Sequence, residues 1–369
     1  AMLGEIQGYF TEQDKQLIKS IALPSLEKYF LDTESKDFYI PSDYEMHKIM
    51  NYIVGAEVSE DYVPMMLDEL NLRPSLLIKN TVAPNKRDMK DFSALIIGAG
   101  MSGILMGIKL AEKGIPFKIY EKNSSVGGTW ADNTYPGCRV DIANHFYSYS
   151  FEENHQWSQY FSQQPELEQY FQKCFEKYAL VEKTKFNTLV STMTFDNSRS
   201  IWQVQSINEG CEYSEEFNLV ISCVGQLNQP KIPEINGLEL FSGNMFHSAR
   251  WPKDDYISDK KVAVIGSGAS AFQIVPSIAD ECNEVTVFQR SAPWMFPNLD
   301  YHRDVESGKK WLLENLPGYS RWYRFLLFWP GSDQLLDSLL IDLDWKGRDD
   351  AINETNDQMR QIFTDAMLA

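Results

Sequence analysis

A chain of 369 residues has room for two or three domains, each with its own core. Its 52 acidic and 34 basic residues leave a net charge of −18. That balance argues against nucleic acid or an anionic membrane as the main partner, though not against a local basic pocket for a phosphate.

The amino terminus, AMLGEIQGYFTEQDK, lacks the basic and apolar regions of a signal peptide. Residues 1–84 read as a helical extension. Thr11 and Asp14 have capping-box spacing, and Leu17, Ile18 and Ile21 follow at helical intervals. A second helix covers Tyr44 to Val54 and stops at Gly55, and a third starts near Ser59 with acids in its first turn. None of this carries site chemistry, so the extension is expected to pack on the body or on a second subunit, giving a homodimer. A polar linker, APNKRDMKD, covers 83–91.

Strand and helix then alternate, which predicts an α/β fold. SALII (93–97) is a buried strand, GAGMSG opens a helix to about Lys113, Gly114 ends it, and PFKIY (116–120) is the next strand. LVSTMTF, SIWQVQSI and FNLVISCVG, within 186–225, are expected to be antiparallel. These elements make one domain over 91–228. A second, 229–295, is built on the strands KVAVI (261–265) and EVTVFQ (284–289). Residues 296–369 read as helical and aromatic, and their most apolar run, WYRFLLFWP (322–330), is too short to span a bilayer. The five cysteines are scattered, with no CxxC or zinc spacing. No metal site is therefore expected, and reduced thiols in a cytoplasmic protein are.

GAGMSG supplies Gly98, Gly100 and Gly103 between a strand and a helix, with Glu121 at the end of the next strand. Glycines there let the backbone approach a pyrophosphate resting on the helix N-terminus, and the acid can accept from a ribose diol. GSGASA repeats the arrangement with Gly266, Gly268 and Ala271, but its second strand ends in Gln289-Arg290. A guanidinium suits a 2′-phosphate that a carboxylate would repel. The first loop therefore suits FAD and the second NADPH. The plain alternatives are a glycine turn without ligand and a solvated arginine. Two such loops in one chain imply electron transfer from nicotinamide to flavin.

The stretch FSGNMFHSARWP (241–252) resembles the FxGxxxHxxxWP fingerprint of the flavin-dependent Baeyer–Villiger monooxygenases, through Phe241, Gly243, His247, Trp251 and Pro252. GGTW (127–130), YPGCRVD (135–141) and VFQRS (287–291) match further segments of that family. The branch containing 4-hydroxyacetophenone monooxygenase is the most similar. The related N-oxygenating flavin monooxygenases lack the tryptophan at the position of Trp251. The resemblance implies two Rossmann-like domains, for FAD and NADP, with an N-terminal helical extension and a C-terminal helical insertion.

By matched position, the resemblance implies FAD contacts at Ser102, Glu121, Gly128, Thr129, Trp130, Asp141, Tyr147 and Val190. It implies NADPH contacts at Ser267, Gly268, Ala269, Ser270, Gln273, Arg290 and Ser291. Asp141 is the implied catalytic acid, with Arg139 beside it at the nicotinamide junction. His247 and Trp251 are implied to act on domain positioning, against a plainer reading of His247 as a hydrogen-bonded loop histidine. The implied reaction uses NADPH, FAD and O2 to convert a ketone into an ester or lactone. The family's arginine for this step has no match among Arg321, Arg324, Arg348 and Arg360, which read as helical. The chain is thus expected to be the N-terminal portion of a longer polypeptide, and a non-catalytic chain is the other expectation.

Overall fold

The computed structural model describes residues 11–32, 40–72, 91–253, 257–293, 298 and 300–368. The linker at 83–90 lies outside them. The chain divides into two units: one gathers 1–80, 145–150 and 294–369, the other 81–144 and 151–293.

In the first unit, α1 (Glu12–Leu31) begins with the anticipated capping box, Thr11 accepting from the Asp14 N–H at 3.2 Å. It buries none of its side chains. α2 (Asp43–Val54) has a second capping box, Ser42 with Glu45, and ends on Gly55 at φ +67. α3 (Val63–Glu69) follows a single 3-10 turn.

Among the described residues, the second unit holds three sheets. β1 (Ala94–Ile97) leads into α4 (Met101–Glu112) and then β2 (Phe117–Tyr120). The short helix α5 (Thr129–Asp132) and the long helix α6 (Gln164–Lys177) come next. α6 buries Leu167, Tyr170, Phe171, Cys174 and Phe175, the spacing of one helical face. Then come β3 (Thr184–Lys185), β4 (Thr188–Asp196), β5 (Ile201–Asn208), β6 (Cys211–Phe217) and β7 (Leu219–Ser222). Strands β3-β2-β1-β7 form a parallel sheet, with Ala94 opposite Phe117 on one side and Leu219 on the other. β1 sits inside it, its Ala94, Leu95 and Ile96 fully buried as a parallel strand requires.

The expected third antiparallel strand, FNLVISCVG, is corrected. The antiparallel sheet is β4-β5-β6, and β6 is the polar run CEYSEEF. Phe217 ends β6, Asn218 turns the chain with its Oδ1 accepting from the Ser93 N–H, and Leu219–Ser222 run parallel to β1. β6 shows no apolar alternation because most of it is exposed. β8 (Lys261–Ile265), α7 (Ala269–Ile278) and β9 (Glu284–Phe288) form the second strand–helix–strand module, its strands parallel.

The first unit resumes with α8 (Ser307–Asn315), α9 (Tyr319–Phe328), α10 (Asp333–Leu336) and α11 (Glu354–Leu368). Its core joins Met46, Met50, Val63, Met66 and Leu67 to Phe325 and Trp329. The aromatic run of α9 is therefore a core face. No helix among the described residues is long and apolar enough to cross a membrane.

Candidate functional site

The first glycine loop is shaped by contacts only glycine allows. Gly98 has φ +99, and a Cβ there would meet the Cys223 carbonyl oxygen at 2.6 Å. A Cβ on Gly103 would lie 1.9 Å from the Gly98 oxygen, so α4 is pressed onto β1. Gly100 caps α4 with no side chain, which leaves the helix's first N–H groups facing outward. GGTW packs on this loop: Gly128, at φ +56, would place a Cβ 2.9 Å from the Gly100 Cα. The Gly127 N–H donates to the Ala99 carbonyl at 3.1 Å.

Glu121 stands at the end of β2, buried to 4% exposure. Its Oε2 accepts from the Ala99 N–H at 2.7 Å and its Oε1 from the Asn123 N–H at 2.8 Å. The carboxylate is thus fixed against the loop with one lone pair on each oxygen still available for a diol. Ser102 in α4 and Thr129 in α5 are exposed, and Trp130 is buried with its carbonyl accepting from Gln164 Nε2. Val190 packs on the cluster of Leu95, Tyr120, Val204 and Phe217. The β4–β5 register shifts between Val190 and Thr192, a bulge that takes one residue out of the ladder.

The second loop is open where the first is crowded. Gly266 turns at φ +110 and donates to the Phe288 carbonyl at 2.8 Å. Neither Gly266 nor Gly268 has any atom within 4 Å of where a Cβ would stand. Gly268 caps α7 with no side chain, and Ala269 and Ser270 form its first turn. Ser267 Oγ donates to the Ser291 carbonyl at 3.3 Å, joining the loop to the end of β9. Arg290 and Ser291 are exposed there. An uncapped helix N-terminus over open glycines is a cradle for an anionic group.

YPGCRVD joins the two modules. Arg139 is buried, and its backbone pairs with Gln273 of α7. Asp141, two residues on, is exposed. In the fingerprint, His247 Nδ1 accepts from the Ala249 N–H at 3.1 Å and caps a single 3-10 turn. The neutral ring then carries its proton on Nε2. Trp251 stands edge-on to Phe246 at 5.0 Å. Arg250 lies 4.0 Å from Asp132 at the end of α5, and Asp132 also accepts from Asn123 Nδ2. Arg250, Asp132 and Gln164 form part of this arrangement, and no motif spacing marks them.

Tyr147 lies in segment 145–150, which belongs to the first unit. Arg324 holds that segment, donating to the His145 carbonyl at 2.6 Å and to Ser148 Oγ at 3.0 Å. Arg321 donates to the Ser150 carbonyl and pairs with Glu69. Arg348, expected in a helix, lies in the irregular stretch before α11 and pairs with Asp357 at 2.5 Å. Arg360 pairs with Asp350. All four late arginines are engaged in internal structure. Lys309, in α8 of the first unit, is a perturbed group. Burial pushes it down to about 8, while its Nζ sits 3.5 Å over the Tyr323 ring, a contact that favours the charged form.

The flavin-binding monooxygenase-like family matches residues 90–311, and the chain belongs to it. A Baeyer-Villiger monooxygenase of Pseudomonas aeruginosa is 44% identical over 206 residues, covering 56% of this chain and 38% of that protein. An uncharacterized monooxygenase of Sinorhizobium fredii is 33% identical over 324 residues, covering 88% of this chain and 48% of its own length. The chain thus spans less than half the length of these curated relatives. Among solved structures, a closed form of cyclohexanone monooxygenase superposes with a TM-score of 0.57 at 30% identity, covering 63% of this chain and 44% of that one. A complex of OTEMO with FAD and NADP gives a TM-score of 0.52 at 34% identity, covering 55% and 39%.

Proposed function

We propose that this chain forms the nucleotide-binding part of an FAD- and NADPH-dependent Baeyer–Villiger monooxygenase, which inserts one oxygen of O2 beside a ketone carbonyl to give an ester or lactone. One observation carries the proposal: a single unit holds two glycine-turned, uncapped helix N-termini with different side chains at the end of the neighbouring strand. The first has Glu121 fixed against it, and the second has exposed Arg290 just beyond β9.

The α4 N-terminus with Gly98, Gly100, Gly103, Ser102 and Glu121 would hold FAD, with Gly128, Thr129, Trp130, Asp141 and Val190 completing its contacts. The assignment of Tyr147 to FAD rests on its matched position alone. The α7 N-terminus with Gly266, Ser267, Gly268, Ala269 and Ser270 would hold the NADPH pyrophosphate, and Arg290 with Ser291 its 2′-phosphate. Bound flavin supplies the redox chemistry that links nicotinamide to dioxygen. The residues of this chain bind and orient: Asp141 is the acid proposed to steady a cationic partner at the nicotinamide junction, with Arg139 beside it. His247 and Trp251 hold the fingerprint segment in place. Trp251 favours ketone oxygenation over the N-oxygenating alternative, and an aryl ketone of the 4-hydroxyacetophenone type is the proposed substrate.

We extend the same reading to a cytoplasmic homodimer. Its support is five free cysteines and an α1 that exposes Leu17 and Ile21 by 60% and 65%. Sedimentation would return a monomer if the dimer is wrong. The activity test is NADPH-dependent oxygen uptake by the flavin-loaded protein, with chromatography of the organic extract from ketone, amine and sulfide substrates. Ester from a ketone is the expected product. N-oxide or sulfoxide alone would replace the proposal with the heteroatom reading.

A further inference from the structure

We propose that Gln273 is a positioning residue: its side-chain amide locks the loop 135–139 onto α7 and so fixes where the 139–141 segment stands relative to the second glycine loop. The inference rests on the proposed function for what the two loops hold, and on geometry alone for the lock.

Arg139 and Gln163 form an isolated antiparallel bridge. The hydrogen bonds of that bridge come from their neighbours: the Val140 N–H donates to the Ser162 carbonyl at 3.2 Å, and the Gln164 N–H to the Cys138 carbonyl at 2.8 Å. In this kind of pair the N–H and C=O of Arg139 itself point the other way. Gln273 meets both. Its Oε1 accepts from the Arg139 N–H at 3.4 Å, and its Nε2 donates to the Arg139 carbonyl at 2.9 Å. A side-chain amide thus stands where a neighbouring strand would be. The Tyr135 hydroxyl donates to the same Oε1 at 2.9 Å, which orients the amide.

The loop also fits α7 sterically. Gly137, at φ +79, lies against Gln273 and Ser277, one helical turn apart on the same face. A Cβ there would stand 2.1 Å from Ser277 Oγ and 2.5 Å from the Gln273 carbonyl oxygen. Any side chain at 137 would lift the loop off the helix. Asp141 comes two residues after the locked Arg139, and α7 begins at the open glycines. Gln273 therefore acts through Arg139, setting where the 139–141 segment stands relative to the second loop.

The test uses the whole chain and its Gln273→Met, Gln273→Glu, Tyr135→Phe and Gly137→Ala variants. The first readout needs no nucleotide: hydrogen exchange at the Arg139 amide, resolved by fragmentation mass spectrometry. Gln273→Met should speed that exchange about tenfold, and Tyr135→Phe by a smaller factor of roughly three. Gln273→Glu keeps the acceptor but loses the donor, and should fall between Gln273→Met and the parent. Gly137→Ala should loosen the same Arg139 amide while leaving the side chain of Gln273 in place. The resemblance places Gln273 among the NADPH contacts, and the lock replaces that role, so in the flavin-loaded protein Gln273→Met should leave NADP+ affinity within about threefold.

Unchanged Arg139 exchange in Gln273→Met overturns the proposal. A tenfold loss of NADP+ affinity with unchanged exchange also overturns it and makes Gln273 a nucleotide contact. If Gln273→Met does not fold, Tyr135→Phe decides, with faster exchange supporting the lock and unchanged exchange sinking it. A parent chain that binds neither nucleotide would remove the proposed function, while the exchange arm would still decide the lock.

Discussion

Alanine at the third glycine of the first loop should destabilise the fold, and alanine at the second glycine of the second loop should not. A Cβ on Gly103 would lie 1.9 Å from the Gly98 carbonyl oxygen and 2.9 Å from its carbon. Both atoms are backbone, held by α4 on one side and β1 on the other, so no side chain can rotate away. Overpacking a core costs about 1–3 kcal/mol when side chains can yield, and a backbone contact this short belongs at or above the upper limit. With roughly 2–4 °C of melting temperature per kcal/mol for a domain of this size, Gly103→Ala should melt about 6–12 °C lower. Gly268 has φ −77, and a Cβ there meets nothing within 4 Å. Alanine caps a helix less well than glycine, but it also reduces the freedom of the unfolded chain by about 0.4–1 kcal/mol, so the two effects offset. Gly268→Ala should thus melt within about 2 °C of the parent, yet weaken NADP+ about tenfold or more by placing a methyl where the pyrophosphate approaches. Thermal unfolding by circular dichroism and titration calorimetry with NADP+ measure the two effects. A Gly103→Ala chain melting with the parent would refute the packing argument. A Gly268→Ala chain with unaltered NADP+ affinity would refute the assignment of the second loop.

Arg290→Ala should weaken NADPH by about 1.5–3 kcal/mol and NADH far less, because only NADPH carries the phosphate; equal losses in stopped-flow flavin reduction would sink the assignment. Burial pushes the Glu215 carboxyl up, but hydrogen bonds from Lys118, Tyr120 and Lys185 outweigh burial and hold it down at about 2. A depressed acid contributes stability that is present above the usual carboxylate range and lost as pH falls toward 2. Glu215→Gln should therefore cost about 1–2 kcal/mol at pH 7, after allowance for screening, and progressively less in acid. Urea unfolding at pH 7 and pH 3 checks this, and a pH-independent difference would contradict it. Arg324→Lys should speed hydrogen exchange across 145–150, since an ammonium cannot reproduce a planar fork that reaches the His145 carbonyl, Ser148 Oγ and the Ser148 carbonyl. Unchanged exchange there would mean that the segment is held by something else.

The sequence by itself determined whatever depends on near neighbours along the chain. The capping box at Thr11, the left-handed stop at Gly55 and both glycine turns are local geometry, so short spacings revealed them. The buried strand 94–97 announced itself as an apolar run because a parallel strand is covered on both faces. Only the tertiary structure decided the rest. β6 is a strand because β5 pairs with it and because Glu215 meets Lys118, Tyr120 and Lys185, while its own polar residues carry no period. Residues 219–222 became parallel because the place beside β1 was open to them, a choice that strand periodicity does not encode. Segment 145–150 joined the helical unit through Arg324, 179 positions from His145. Gln273 reached Arg139 across 134 positions. Hydrogen bonds between groups so far apart leave no spacing to read, because the chain between them is free to take any path until the fold closes it.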